Sequence, residues 1–137
     1  LGQGFLLHDL GKSRIDPAII NKPGRLDDHE WEIMRKHPQM GYEILRDSGE
    51  LTEEIKIIVL EHHEKFCGGG YPANKKGEAI HPFGRICCLA DVFDALSTAR
   101  TYRKAMGSFE TLTLMRDQMP ENFDPEYFKE FVKLFHI

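Results

Sequence analysis

The sequence lacks the features of secreted, membrane-spanning and duplex-binding proteins. It has three cysteines in 137 residues, and two of them, Cys87 and Cys88, are adjacent. Such a set does not suit a disulfide framework and indicates a reducing compartment, for which we predict the cytoplasm. We read the adjacent pair as small, buried apolar residues.

No apolar run reaches about 18 residues, so no transmembrane helix is predicted, and there is no signal-peptide pattern. The net charge of −4 lacks the cationic footprint of duplex nucleic-acid binding.

Alternation of apolar and polar residues, which is typical of strands, is missing as well. Apolar residues make up 41% of the chain, which is enough for a core at the size of one domain. They recur at spacings of three and four residues, the helical pattern. We therefore predict an all-α fold, a bundle of about six or seven helices that forms one domain over residues 1–137.

Capping residues and helix breakers set the predicted boundaries. The predicted helices cover residues 1–10 (ended by Gly11), 16–21, 27–47 (interrupted or kinked at Pro38), 52–64, 83–99, 109–118 and a last segment that opens at Asp124-Pro125. The loop between residues 65 and 82 is rich in Gly, Lys and Pro, and its length suggests a function. Because the chain begins inside a predicted helix, we expect one or more further helices upstream of Leu1.

Histidine and aspartate side chains near predicted helix ends, with one aspartate inside a predicted apolar helix, carry the predicted chemistry. Imidazole and carboxylate together suit a borderline divalent metal such as Fe, Mn, Zn or Ni. The candidate ligands are His8, Asp9, His37, His62, His63 and Asp91. Lys12, about one turn after the first pair, can direct a cation at an anion bound to the metal. Adjacent histidines on a helix point about 100° apart, so the pair at 62–63 reaches one site only if the site is wide, as a two-metal centre is.

Each of these side chains also has a purely structural interpretation. His37 could lie on the surface, and the adjacent histidines could be one core residue and one exposed residue. Asp91 could form an ion pair with Arg85 or Lys12. The complete set is much harder to explain in this way than any one member.

Five ordered motifs resemble the HD-GYP branch of the HD phosphohydrolase superfamily. They are His8-Asp9-Leu10-Gly11-Lys12, His37-Pro38, His62-His63-Glu64, Gly68-Gly69-Gly70-Tyr71-Pro72 and Ala90-Asp91-Val92-Phe93-Asp94-Ala95-Leu96. The family fold is an all-α bundle of the HD type, in agreement with the periodicity. Phe66 and Cys67 depart from the family pattern, in which Trp and Asp are common at these positions.

The resemblance implies a metal-dependent phosphodiesterase that hydrolyses cyclic di-GMP to pGpG, with GMP as a further product left open. It implies two or three divalent ions, Fe or Mn, which activate water and polarise phosphoryl oxygens. The implied metal ligands are the six candidates above, with Asp9 as the bridge between two ions. The implied catalytic residues are Asp9 and Lys12, and the implied substrate contacts are Lys12, Tyr71, Arg100 and Arg103. Further family ligands would lie upstream of Leu1, so the metal count stays open.

The implied partners belong to bacterial second-messenger signalling. They are cyclic di-GMP, an upstream sensory or receiver domain in the parent protein, and a diguanylate cyclase. Three alternatives remain: an HD enzyme for another cyclic dinucleotide or a nucleotide monophosphate, a non-catalytic module that binds metal and nucleotide, and an all-α domain whose histidines only pack. The Gly-Tyr-Pro loop and the two arginines favour cyclic di-GMP hydrolysis.

Overall fold

The computed structural model describes residues 1–98 and 104–136, and the regular structure in these residues is entirely helical. The α-helices are α1 (Gly2–Leu7), α2 (Pro17–Ile20), α3 (Asp28–Met34), α4 (His37–Ser48), α5 (Glu53–Glu61), α6 (Pro82–Ser97), α7 (Ser108–Gln118) and α8 (Pro125–Lys133). Short 3₁₀ segments cover Leu10–Arg14, Gly77–Ala79 and Pro120–Asn122. The predicted all-α bundle is confirmed. Seven of the helices in this part of the chain have six residues or more, which matches the predicted number.

Side-chain caps account for several boundaries that the sequence predicts. Asp27 Oδ1 accepts a hydrogen bond from Glu30 N at 2.8 Å, and Glu30 Oε2 accepts one from Asp27 N at the same distance. This reciprocal capping box begins α3. The Asp16-Pro17 and Asp124-Pro125 pairs begin α2 and α8 in a common way, with a carboxylate cap and proline in the first turn.

The predicted end of the first helix is wrong. Helix α1 ends at Leu7, and Gly11 lies inside the 3₁₀ segment that follows. Gly11 is needed there because two segments of backbone approach closely. A Cβ atom at this position would lie 1.8 Å from the carbonyl oxygen of His37 and 2.6 Å from the amide nitrogen of Gly41. The glycine therefore sets the packing of this turn against α4 rather than stopping a helix.

Pro38 lies at an interruption between two helices. Helix α3 ends at Met34, and α4 begins at His37. The break thus precedes the histidine, whereas the sequence places it after the histidine. Proline in the first turn of α4 costs no helical hydrogen bond, because the amide there has no intrahelical partner.

Two buried apolar clusters hold the helices together. The first joins α4 to α5 and consists of Leu45, Ile55 and Val59. The second joins α6 to the C-terminal helices and consists of Cys88, Leu89, Leu96, Met115 and Phe123. Burial of such an aliphatic or aromatic side chain stabilises the fold by about 1.5–3 kcal/mol. In the part of the chain that the structure describes, no helix is both long and apolar enough to cross a bilayer.

Candidate metal centre

The ends of α1 and α5, the start of α4 and the middle of α6 bring the predicted ligands together. His8 and Asp9 follow the end of α1, His37 is the first residue of α4, His62 and His63 follow the end of α5, and Asp91 lies within α6. Contacts between α1, α5 and α6, and between α4 and α5, place these segments side by side. Residues distant in the sequence therefore face one small region.

Four of the ligands form a first group, made of Asp9, His37, His62 and His63. Each offers one ligand atom, and these atoms all lie within 4.8 Å of one another. Asp9 Oδ1 lies 3.4 Å from His37 Nε2 and 3.9 Å from His62 Nε2. Two bonds of about 2.0–2.2 Å to one ion would separate their ligand atoms by up to about 4.4 Å. The first group is therefore close to the dimensions of a site for one ion.

His8 and Asp91 form a second group, which shares Asp9 with the first. His8 Nε2 lies 3.2 Å from Asp91 Oδ1 and 3.5 Å from Asp9 Oδ2. The two oxygens of Asp9 therefore face different groups, as a bridging carboxylate requires. Burial lowers the pKa of His8, but its contacts with Asp91 and the other acceptors raise it above its usual value.

The predicted separation of His62 and His63 is wrong. Helix α5 ends at Glu61, so the two histidines are not successive residues of a regular helix. Their ring centroids are 4.1 Å apart. Both rings reach the first group, and the site need not be wide to include them.

Backbone carbonyl groups fix the orientation of three of the histidine rings. In each case Nδ1 contacts the carbonyl oxygen of the residue three positions earlier: Phe5 for His8, Met34 for His37 at 2.8 Å, and Val59 for His62 at 2.8 Å. A carbonyl oxygen only accepts, so Nδ1 carries the proton and Nε2 carries the lone pair. Such a second contact fixes the tautomer and the ring of a metal-binding histidine.

A cation explains one contact that the protein alone leaves unsatisfied. The Nε2 atoms of His37 and His62 lie 3.1 Å apart, and both rings are buried. Because both Nδ1 atoms donate, the neutral forms of the two rings place two lone pairs opposite each other with no proton between them. A divalent cation bound by both nitrogens removes this conflict. The imidazole and carboxylate donors suit a first-row divalent metal, so the residues present fit the predicted cofactor.

Protonation states in the first group also favour metal binding. Burial lowers the pKa of His62, and burial together with neighbouring His37 lowers that of His63 to about 3. Both rings are neutral at pH 7, which is the form that binds metal. Burial alone would raise the pKa of Asp9, but the positive charge of Lys12 beside it holds the pKa well below its usual value. The Lys12 ammonium donates to Asp9 Oδ2 at 2.9 Å.

Tyr71 lies beside the first group. Its ring stacks on His63 with a centroid separation of 4.8 Å, and its amide donates to the His63 carbonyl at 3.1 Å. The Arg35 guanidinium lies 5.1 Å from the centroid of the tyrosine ring. Burial raises the pKa of Tyr71, so its hydroxyl stays protonated and remains a hydrogen-bond donor.

Two buried glutamates position the loop that carries Tyr71, and sequence reasoning assigned neither of them a role. Glu64 is 1% exposed and accepts hydrogen bonds from Ala73 N at 2.7 Å and Lys75 N at 2.9 Å. Glu61 pairs with the Lys75 side chain and accepts a bond from His81 N at 2.6 Å. The sequence does contain an indication of their role, because charged residues that flank the adjacent histidines at the end of an apolar helix are expected to be buried and hydrogen-bonded.

Other predicted residues lie apart from these groups. Arg100 and Arg103 lie outside the described residues. Arg85 pairs with Asp124 at 2.7 Å, so it is not the partner of Asp91 that the structural interpretation suggests. Cys87 and Cys88 are buried thiols, as predicted, and burial raises the pKa of Cys88 to about 12. Cys67 is exposed.

Comparisons with known proteins agree on the family. The sequence matches the HD domain family over residues 4–127. It is 37% identical over 132 residues to a cyclic di-GMP phosphodiesterase of Pseudomonas aeruginosa, covering 96% of this chain and 32% of that protein. It is 42% identical over 120 residues to the cyclic di-GMP phosphodiesterase response regulator RpfG of Xanthomonas campestris, with coverages of 87% and 32%. It is 40% identical over 136 residues to 3′3′-cGAMP-specific phosphodiesterase 2 of Vibrio cholerae, with coverages of 93% and 26%.

The chain spans about a third or less of the length of these relatives. Its fold is similar to that of a solved protein from Bdellovibrio bacteriovorus, described as an HDG"Y"P protein. The TM-score is 0.74 at 21% identity, and the match covers 98% of this chain and 42% of that one. The helical fold, the two ligand groups and the match over most of the sequence lead to one conclusion: the chain belongs to the HD domain family.

Proposed function

We propose that this chain is the catalytic part of a metal-dependent phosphodiesterase that hydrolyses cyclic di-GMP. The observation that carries the proposal is the pair of ligand groups joined by the two oxygens of Asp9, with Lys12 on the same carboxylate. Relatives named cyclic di-GMP phosphodiesterases support the choice of substrate. Because the chain spans only part of these relatives, the activity is proposed for the parent protein.

The proposed cofactor is a pair of divalent ions, Fe or Mn. Asp9, His37, His62 and His63 would hold one ion. His8 and Asp91 would hold the other, with Asp9 as the bridge. A helix upstream of residue 1 is proposed to supply further ligands to the second group, together with those of a third ion.

The metal ions would supply Lewis-acid activation of the phosphoryl group and of the attacking water. The side chains of the protein bind and orient the substrate. Lys12 Nζ lies next to the bridging carboxylate, where it offsets the negative charge that develops on phosphoryl oxygens in the transition state. Tyr71 is neutral and its ring packs on His63, so it forms one side of the site. Its hydroxyl would donate a hydrogen bond to the substrate. Arg100 and Arg103 are proposed to bind phosphate or guanine edges.

The test is hydrolysis of cyclic di-GMP by the parent protein. The protein is assayed without oxygen in Fe(II) or Mn(II), and products are separated by liquid chromatography. We expect pGpG or GMP from the wild type, a loss of at least about 100-fold in Asp9→Ala, and full activity in the exposed control Asp28→Ala. Two bound metals per chain with no product would contradict the phosphodiesterase and support a binding module.

A second candidate substrate is 3′3′-cGAMP. The observation that favours it is the 40% identity to the Vibrio cholerae enzyme of that specificity, which is close to the identities of the cyclic di-GMP enzymes. The same assay with both dinucleotides separates the candidates. A kcat/KM for cyclic di-GMP at least about tenfold above that for cGAMP supports the first proposal, and the reverse ratio supports the second.

The proposed setting is bacterial second-messenger signalling in the cytoplasm. Residues 1–137 are proposed to form one domain, with a sensory or receiver domain upstream and a diguanylate cyclase as a partner. A relative named as a response regulator supports the receiver domain. Co-purification of the parent protein with a diguanylate cyclase tests the last part of this proposal.

A further inference from the structure

A groove lies beside Tyr71, next to the metal ligands. It encloses about 540 Å³, a volume in the range of small-molecule sites. One side is formed by Arg35, Lys36 and Gln39, at the junction of α3 and α4. The other side is formed by residues 69–72 and Asn74. The groove is thus built from the loop that carries Tyr71 and from the segment that leads into His37.

The lining of this groove is cationic. Arg35 and Lys36 are both exposed, and none of the described residues that line the groove has a carboxylate. Within residues 1–98 and 104–136, neither side chain forms an ion pair. The guanidinium of Arg35 lies 5.1 Å from the centroid of Tyr71, which holds one cation at the groove wall by a cation–π contact. Two uncompensated cations in a concave surface attract an anion.

Tyr71 connects the groove to the metal centre. Its ring lies 4.8 Å from the His63 ring and 5.1 Å from the Arg35 guanidinium. An anion beside Arg35 is therefore one aromatic ring away from the first ligand group. Lys12, in contrast, lies at Asp9, so the two sets of cations serve different positions.

The shape of a cyclic dinucleotide matches this pair of positions. Two phosphodiesters are held in one small covalent ring, so the second lies a short, fixed distance from the one at the metal centre. We infer that Arg35 and Lys36 bind the phosphodiester that is not being hydrolysed, with Tyr71 between this subsite and the metal centre. A guanidinium suits this role because it can donate two parallel hydrogen bonds to phosphate oxygens. The inference rests on the proposed function for its ligand, a cyclic dinucleotide.

The test measures binding and turnover separately in the metal-loaded parent protein. The binding probe is the bis-phosphorothioate analogue of cyclic di-GMP, which resists hydrolysis. We expect Arg35→Ala/Lys36→Ala to weaken its binding at least about tenfold, because two charge-assisted contacts are lost. The matched control, Arg25→Ala/Lys129→Ala, removes the same charge from exposed positions outside the groove and is expected to leave the Kd unchanged.

Bis(p-nitrophenyl) phosphate supplies a second readout, since it has one phosphate and cannot reach the subsite while it reacts. Its turnover is expected to fall by much less than the binding of the analogue does in the groove variant. An unchanged Kd in that variant, an equal loss in the control, or no binding by the wild type would each overturn the subsite. If wild type binds the analogue through Arg35 and Lys36 but does not hydrolyse cyclic di-GMP, the subsite stands and the proposed function falls.

Discussion

At the scale of single residues, Asp91 belongs to the second ligand group, which shares Asp9 with the first. Its carboxylate contacts His8 and is not among the four residues of the first group. We predict that Asp91→Asn removes about one metal equivalent per chain and leaves the other bound, because the first group keeps all its ligands. Elemental analysis of the purified variant measures this.

The matched control for this variant is Asp94→Asn. Asp94 lies on the same helix, one turn from Asp91, but its side chain is exposed. This variant should keep the metal content of the wild type. Loss of both ions in Asp91→Asn, with normal folding by circular dichroism, would contradict the division into two groups.

The candidate ligand residues lie together in the structure, and their role as ligands stays a prediction. Asp91 interrupts the apolar pattern of α6, and a metal is a strong reason for such an interruption. Arg35 and Glu64 could not be assigned in the same way. Long charged side chains are common on helical surfaces, and their role depends on which distant segment the fold places beside them.

At the scale of elements, the contact of Gly11 with α4 predicts a large loss of stability in Gly11→Ala. The added Cβ would lie 1.8 Å from the His37 carbonyl oxygen, and both neighbouring atoms belong to the backbone, which cannot move aside easily. We expect a loss of about 3 kcal/mol or more in the free energy of unfolding. Urea denaturation measures it.

Gly107→Ala is the control for that substitution. A Cβ at Gly107 meets no atom of the described residues within 4 Å, and the residue has a φ of −64°. The variant should change the free energy of unfolding by no more than about 1 kcal/mol, because alanine restricts the unfolded chain but is a poorer N-cap residue than glycine. Equal changes in the free energy of unfolding in the two variants would show that the close backbone contact at Gly11 does not stabilise the fold.

The loop that carries Tyr71 depends on Glu64, which gives a second prediction at this scale. In Glu64→Gln, one oxygen of the buried carboxylate is replaced by an NH₂ group, so a backbone amide of the loop loses its acceptor. We expect a loss of about 1–3 kcal/mol in the free energy of unfolding and faster proteolysis of the loop. Glu78→Gln changes an exposed glutamate of the same loop and should do neither; similar proteolysis rates in the two variants would refute the role of Glu64.

Helix positions could be predicted well where local chemistry decides them. The capping box at Asp27 and Glu30 begins α3 through contacts within four residues, so the sequence contains all the information. The end of α1 could not be predicted, because Gly11 serves a contact with residues about 30 positions away. The end of α5 at Glu61 could not be predicted either. The turn after it places His62 and His63 at the first ligand group, which other segments of the chain complete.

At the scale of the whole molecule, the ligand groups join segments that are far apart in the sequence. Metal that binds the folded chain and not the unfolded chain stabilises it, by about 2.7 kcal/mol at a free concentration of 100 times Kd. We predict a rise in Tm on addition of Mn(II) to the metal-free parent protein, measured by calorimetry. The Asp9→Ala variant should show little rise, and an equal rise in this variant would place the stabilising ion elsewhere.

The close contact of Gly11 with α4 has a consequence for how this sequence can diverge. The spacing between the His8-Asp9 turn and the start of α4 is set by main-chain atoms, which every amino acid shares. Gly41 faces the same contact, and its own Cβ would lie 2.7 Å from Val59 and 3.2 Å from the Gly11 amide. Side chains elsewhere in the bundle can therefore be exchanged over generations while the ligands keep their distances. In a library of random variants, positions 11 and 41 should be among the last to accept any other residue.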